Sequence, residues 1–126
     1  MRGYLLDTHV LLWWLDDPER LSEGARSAIT DTTNAVYVSA AAAWEIGIKQ
    51  ALGRIDVPVQ LEQAVEDEGI RVLPISFTHG LAVAHLPSHH QDPFDRLMVA
   101  QAIAEELVLI TRDPVVQQYD AATLKA

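Results

Sequence analysis

Short apolar blocks alternate along this chain with longer segments whose apolar residues recur every three or four positions. The blocks predict strands: Gly3 to Leu6, AVYVS at 35–39, IRVLPI at 70–75 and LVLIT at 107–111. The longer segments predict helices over Thr8 to Leu15, Glu23 to about Ile29, AAAWEIGIKQAL at 41–52, Val59 to Glu68, Thr78 to about His85, and Pro93 to Glu106. Ser22 is placed to cap the second helix, and Gly53 and Gly69 to close the third and fourth. A short helix near Pro114 and an edge strand in the tail YDAATLKA complete the pattern. DDPERLS, IDVP and PSHHQD read as connections. Strand and helix alternate from end to end, so the predicted architecture is α/β, a parallel β-sheet flanked by helices on both faces. The length of 126 residues suits a single domain over 1–126.

One position breaks the pattern. In DPFDRLMVAQAIAEEL the core stripe is Met98, Val99, Ala102 and Ile103, and Asp95 precedes these by three, four, seven and eight residues. Its carboxylate therefore shares their inward face. An unpaired buried carboxylate is costly, so a cation, a proton or strong donors must lie nearby. Three further acids adjoin apolar sequence: Asp7 after YLL, Glu45 within AAAWEIGIK, and Asp113 after LVLIT. Glu45 shares a helix face with Ala41, Ala42, Ile48 and Leu52. Asp7 and Asp113 take the first positions after strands, at the edge where open parallel sheets collect their ligands.

Each acid also has a structural explanation. Asp7 and Asp113 can cap the segments that follow them. Glu45 stands four residues before Lys49, the favourable spacing for a helical ion pair. Asp92, followed by Pro93, reads as a helix cap, and Asp95 can complete a capping box with it. Two inward acids on helices plus two at strand ends nevertheless exceed what capping explains. A pocket of oxygen ligands favours Mg²⁺ or Mn²⁺ over zinc and suits metal-assisted phosphoryl chemistry.

Composition narrows the classes. Cysteine is absent, which excludes disulfides, thiolate metal sites and cysteine nucleophiles and suits the cytoplasm. The apolar run VLLWWL is too short for a membrane span, and acids interrupt it where a signal peptide would continue. With 9 basic and 18 acidic side chains the net charge is −9, which argues against a nucleic-acid packaging protein. It is compatible with an enzyme whose metal ions screen its acids.

The segments LLDTHVLLW, WEIGIK, HHQDPFDRLMVAQA and LITRD, taken together, resemble the PIN-domain ribonucleases. More narrowly they resemble the VapC toxins of type II toxin–antitoxin pairs, from about Tyr4 to Tyr119. The resemblance implies a PIN-like fold and a metal-dependent endoribonuclease that cuts single-stranded or looped RNA and is held inactive by a small antitoxin. It also implies that Asp7, Glu45, Asp95 and Asp113 bind the metal.

Around these acids, Lys49, Arg96 and Arg112 are the best candidates for RNA phosphate contacts, with charge balance as the alternative. Thr8 and Thr111 adjoin acids at strand ends, where a hydroxyl can orient a water or cap the backbone. His9 can face the pocket and touch RNA, but it reads better as a solvent-facing helix residue. His89 and His90 are adjacent and His79 and His85 lie six apart, so neither pair has the i, i+4 spacing of helical zinc ligands. VLLWWL, apolar all round, implies core packing, or a patch covered by an antitoxin or a second copy in a homodimer. Two other functions fit the gross features: a phospho-receiver signalling domain and a non-catalytic PIN-like RNA- or protein-binding module. The first lacks paired acids near the end of the first strand. The second sits poorly with a complete acid set.

Overall fold

The computed structural model describes residues 2–126. Strands β1 (Gly3–Leu6), β2 (Ala35–Ser39), β3 (Arg71–Leu73), β4 (Val108–Thr111) and β5 (Thr123–Lys125) form one sheet in the order β3-β2-β1-β4-β5, every pairing parallel. Helices α1 (Thr8–Asp16), α2 (Glu23–Thr30), α3 (Ala40–Ala51), α4 (Leu61–Asp67), α5 (Phe77–Ala82) and α6 (Pro93–Ala104) connect the strands or lie between them. The period of two in β1 divides the interior. Tyr4 and Leu6 enter a core built with α1 to α4, while Leu5 enters a second core with Met98, Val99 and Ala102 of α6. Helices therefore cover both faces, as the uninterrupted apolar strands require.

Strand order locates the functional edge. From β1 the chain steps to β2 and β3 on one side, then crosses to place β4 and β5 on the other. The reversal falls between β1 and β4, and the crevice beyond their carboxyl ends is where open α/β sheets bind ligands. Leu6 pairs with Ile110, and the Asp7 amide donates to the Ile110 carbonyl at 3.1 Å. Asp7 and Asp113 thus leave adjacent strands at that crevice.

Caps set the element ends. Ser22 accepts from the Ala25 amide at the start of α2, as the sequence predicts. Gly53 and Gly69 adopt φ of 69° and 70°, closing α3 and α4 with left-handed residues. Helix α6 stops at Ala104 instead of Glu106, because Glu106 takes the left-handed position itself at φ 55°. The Leu107 amide then reaches the Ala102 carbonyl at 2.9 Å, a closure usually made by glycine. Helix α4 is shorter than predicted, since Val59 is fully exposed and Gln60 supplies no side-chain cap. The IRVLPI block yields only a three-residue edge strand, paired to β2 alone and ended by Pro74. The predicted Thr78–His85 helix is α5 followed by a 3₁₀ turn over Val83–His85. Only a 3₁₀ turn, Val116–Gln118, forms after Pro114.

Two helix faces are rotated relative to the sequence reading. On α3 the buried side comprises Ala41, Ala42, Glu45 and Ile46, while Ile48 and Leu52 are exposed beside Trp44. On α6 the polar Gln101 is fully buried and Ile103 is exposed. The Ser39 hydroxyl donates to Gln101 Oε1 at 2.6 Å and the Gln101 amide donates to the Pro74 carbonyl at 3.3 Å, which satisfies the buried amide. Both acids of interest keep their inward orientation.

Candidate active site

Asp7, Glu45, Asp95 and Asp113 line one cavity of about 170 Å³ at the β1–β4 crevice. Asp92, Thr8, Lys49 and Arg112 share its wall, so five carboxylates there meet two fixed cations. Local structure explains each placement. Asp7 caps α1, its Oδ1 accepting from the Val10 amide at 2.9 Å. Asp113 holds the turn after β4 by accepting from the Val115 amide at 2.9 Å. Asp92 caps α6, accepting from the amides of Phe94 at 2.8 Å and Asp95 at 3.1 Å. Pro93 occupies the first helical position, and Asp95 follows one turn in, facing the cavity. The capping and pocket readings therefore coexist at Asp7, Asp92 and Asp113. The reciprocal capping-box bond predicted for Asp95 is not made among the described residues; a capping box forms instead at Ser76 and His79.

Glu45 is the most constrained acid. It is 4% exposed, with Oε1 accepting from the Thr8 hydroxyl at 2.6 Å and Oε2 bound to Lys49 Nζ at 2.6 Å. That partner raises the Lys49 ammonium above its ordinary value, against the opposing effect of burial. Thr8 thus serves to orient a carboxylate. Thr111 does the same for Asp7: its hydroxyl accepts from the Asp113 amide at 3.1 Å and bonds to the Asp7 carboxylate.

Charges in the cavity are poorly compensated. Burial lifts the Asp95 carboxyl to about 7, and Asp92 adds to the rise while His90 opposes it. Burial also raises Asp7, against hydrogen bonds from Thr111 and Val10. At Asp113 burial acts upward too, but hydrogen bonds from His90 and the Val115 amide outweigh it and hold this carboxyl below its usual range.

His90 is a site residue that helical spacing does not reveal. It lies in the PSHHQD loop, and Nε2 stands 3.1 Å from Asp95 Oδ2 and 2.9 Å from Asp113 Oδ2. The Asp92 amide donates to Nδ1 at 3.0 Å, so Nδ1 holds a lone pair and the proton sits on Nε2. His90 is then a neutral donor spanning two acids. The ligand atoms of His90, Asp95 and Asp113 lie within 4.8 Å of one another, close enough for a metal. While the Asp92 amide occupies Nδ1, however, Nε2 carries a proton and the carboxylates remain the available ligands.

Two sequence candidates are tethered by backbone carbonyls. Arg96 faces no open phosphate site: Nη1 donates to Pro87 O at 2.9 Å and Tyr119 Oη at 3.2 Å, and Nη2 to Val83 O at 3.0 Å. It ties the start of α6 to the loop that carries His90. Arg112 lines the cavity but is tethered to the Ala126 carbonyl, at 3.3 Å from Nε and 2.8 Å from Nη2, and to the Arg20 carbonyl. Its guanidinium lies 4.6 Å from the Trp13 ring. His9 is exposed at the cavity rim, with its ring 5.9 Å from that of Trp13. Trp13 and Trp14 are half-buried and pack against the first core, the bland alternative for the VLLWWL segment.

The family model of the PIN domain matches residues 4–122. Ribonuclease VapC22 of Mycobacterium tuberculosis is 32% identical over 116 residues, covering 90% of this chain and 88% of that protein. Among solved structures, VapBC2 of Rickettsia felis, bound to a DNA fragment from its promoter, superposes with a TM-score of 0.71 at 14% identity, covering 98% of this chain and 97% of that one. FitAcB of Neisseria gonorrhoeae gives 0.66 at 23% identity, covering 97% and 96%. At those identities the structural likeness concerns the fold.

Proposed function

Because the chain belongs to the PIN-domain family, we propose that it is a metal-dependent endoribonuclease, the toxin of a type II toxin–antitoxin pair. The observation that carries this reading is the convergence of Asp7, Glu45, Asp95 and Asp113 on one small cavity at the sheet's switch point. The Mycobacterium tuberculosis relative is a ribonuclease, and one solved structure of like fold, from Klebsiella pneumoniae, is a toxin–antitoxin complex. A small antitoxin protein is accordingly the partner and RNA the substrate. A homodimer is compatible with the exposed apolar stripe of Trp44, Ile48 and Leu52. Among the described residues no helix is long and apolar enough to cross a membrane.

The residues fit a divalent cation. An Asp95 carboxyl raised to about 7 among other acids is a group whose ionised form lacks a counter-charge. Asp7, Asp95 and Asp113 would hold Mg²⁺ or Mn²⁺ by oxygen, with Glu45 behind them, anchored by Thr8 and Lys49. When bound, such an ion supplies Lewis acidity toward the phosphate and lowers the pKa of water. The chain's own groups do the rest. Ionised carboxylates orient a water by accepting its hydrogens and take up its proton as it attacks phosphorus, while the P–O bond to the leaving nucleotide breaks and that oxygen gains a proton from solvent. Lys49 and Arg112 offset the charge of an entering phosphodiester, and the His90 Nε2–H fixes the spacing of Asp95 and Asp113. The Thr8 hydroxyl in the cavity donates to Glu45, whose other oxygen is held by Lys49, and so orients that acid.

The test is cleavage of an end-labelled single-stranded RNA by purified protein. Internal cuts that need Mg²⁺ or Mn²⁺ and vanish in chelator are expected. Expression of the chain alone should arrest bacterial growth, and the Asp95→Asn variant should not. Absence of cleavage with every divalent ion tried, together with full growth despite soluble expression, would overturn the proposal.

A further inference from the structure

A second cavity, of about 700 Å³, adjoins the acidic one and shares His9, Trp13 and Lys49 with it. It is floored by Leu12, Ile55, Val57 and Pro58 and rimmed by Arg20 and Arg54. The chain has only nine basic side chains against eighteen acidic ones. Arg20, Lys49 and Arg54 nevertheless face this one groove, opposed there by Asp16 and Asp56 alone. Among the described residues neither Arg20 nor Arg54 forms an ion pair. Arg20 lies 4.7 Å from the centre of the Trp13 ring, the same ring that Arg112 approaches to 4.6 Å. Stacking on an indole limits the rotamers of a guanidinium while leaving its N–H edge free to donate.

We propose that Arg20, stacked on Trp13, and Arg54 in the same groove form a subsite that grips the phosphodiester backbone of single-stranded RNA beside the cleavage cavity. The inference rests on the ribonuclease reading and specifies how an acidic protein holds its substrate there. A polyanion entering a pocket of five carboxylates is repelled, and cations flanking the cut site supply the missing attraction. The groove is continuous with the acid cavity through Lys49, so a strand whose phosphate reaches the acids passes along Arg20 and Arg54. Its apolar floor and the edge of Trp13 accept bases without reading their identity.

The experiment compares wild type, Arg54→Gln and Arg20→Gln on a single-stranded oligoribonucleotide with Mn²⁺ at several salt concentrations. Each substitution should raise KM about 3- to 10-fold, as expected for one charge-assisted hydrogen bond, with the loss falling on KM and not kcat. The dependence of log KM on log salt should become shallower by about 0.7 for each phosphate that is no longer neutralised. Arg54 follows a helix end and its amide donates to the Lys49 carbonyl, a bond that glutamine keeps. Arg54→Gln therefore leaves the groove readable even where Arg20→Gln disturbs Trp13. Anisotropy of labelled RNA with the Asp95→Asn chain in chelator gives the same comparison without turnover. Wild type that cuts RNA while both variants keep its KM and salt slope would overturn the subsite and leave the ribonuclease reading intact. So would variants that lose binding of an acidic peptide but not of RNA, which marks a protein-docking surface. Wild type that neither binds nor cuts RNA would remove both.

Discussion

Asp95 and Asp92 lie three residues apart on one helix turn, yet the structure gives them different work. Asp92 spends one oxygen on two backbone amides, a task that asparagine performs equally well. Asp95 caps nothing and aims its carboxylate at the cavity, where burial lifts it to about 7. Asp95→Asn should therefore abolish cleavage with the fold intact, because a neutral amide is a poor ligand for a hard cation and cannot take up a proton. Asp7→Asn should behave alike, since its amide can still cap α1. Asp92→Asn should retain activity within about threefold, whereas Asp92→Ala should cost about 1 kcal/mol of stability through the missing cap. Kinetics paired with thermal melts check all four variants. Inactivity of a well-folded Asp92→Asn would reassign that residue to the metal.

At the scale of elements, the start of α6 matters most, because one arginine fastens it to two loops. Arg96 donates to the carbonyls of Val83 and Pro87 and to the Tyr119 hydroxyl, and Tyr119 in turn accepts from the His90 amide at 2.8 Å. Lysine has no planar fork to span these acceptors. Arg96→Lys should lose about 1–3 kcal/mol and speed amide exchange across residues 87–92. Unchanged stability with a raised KM would instead return Arg96 to the phosphate contact that its position beside Asp95 suggests in the sequence. That contrast shows what the sequence reveals. The core strands and most helices follow from apolar periodicity, Ser22, Gly53 and Gly69, and the four acids follow from their places on those elements. The roles of Arg96, His90 and Gln101 stay hidden because most of their partners are distant in the chain. The end of α6 is misplaced because a glutamate performs a turn that usually calls for glycine. On α3, periodicity fixes a helix but not which of two neighbouring stripes meets the sheet.

For the whole molecule, an acid cavity must leave its mark on stability. In the unfolded chain Asp95 titrates near 3.9, and in the folded protein near 7. Between about pH 4 and 7 the folded state keeps a proton that the unfolded chain has released, so stability falls as pH rises through that window. The raised carboxyl of Asp7 acts in the same direction. Asp113, held low, acts oppositely: its contribution is present above the unfolded value and is lost only as pH drops below about 4. Metal-free protein should therefore melt highest near pH 4–5 and lose on the order of a few kcal/mol by pH 7, less whatever solvent screens at the partly exposed Asp95. Asp95→Asn removes the titrating group while keeping an oxygen for the His90 Nε2–H. Its melting temperature in chelator should vary less over that window and exceed that of wild type at pH 7. Millimolar Mg²⁺ or Mn²⁺ should reverse the order at pH 7, since a cation that binds only the folded state stabilises it by RT ln(1 + [L]/Kd). At pH 5 the reversal should fade, because a proton on Asp95 competes with the ion. Melts of both proteins at pH 5 and 7, with chelator and with metal, decide the matter. Wild-type stability that is flat or rising in chelator from pH 5 to 7, with equal metal responses in the two proteins, would mean that the acids do not share one electrostatic site.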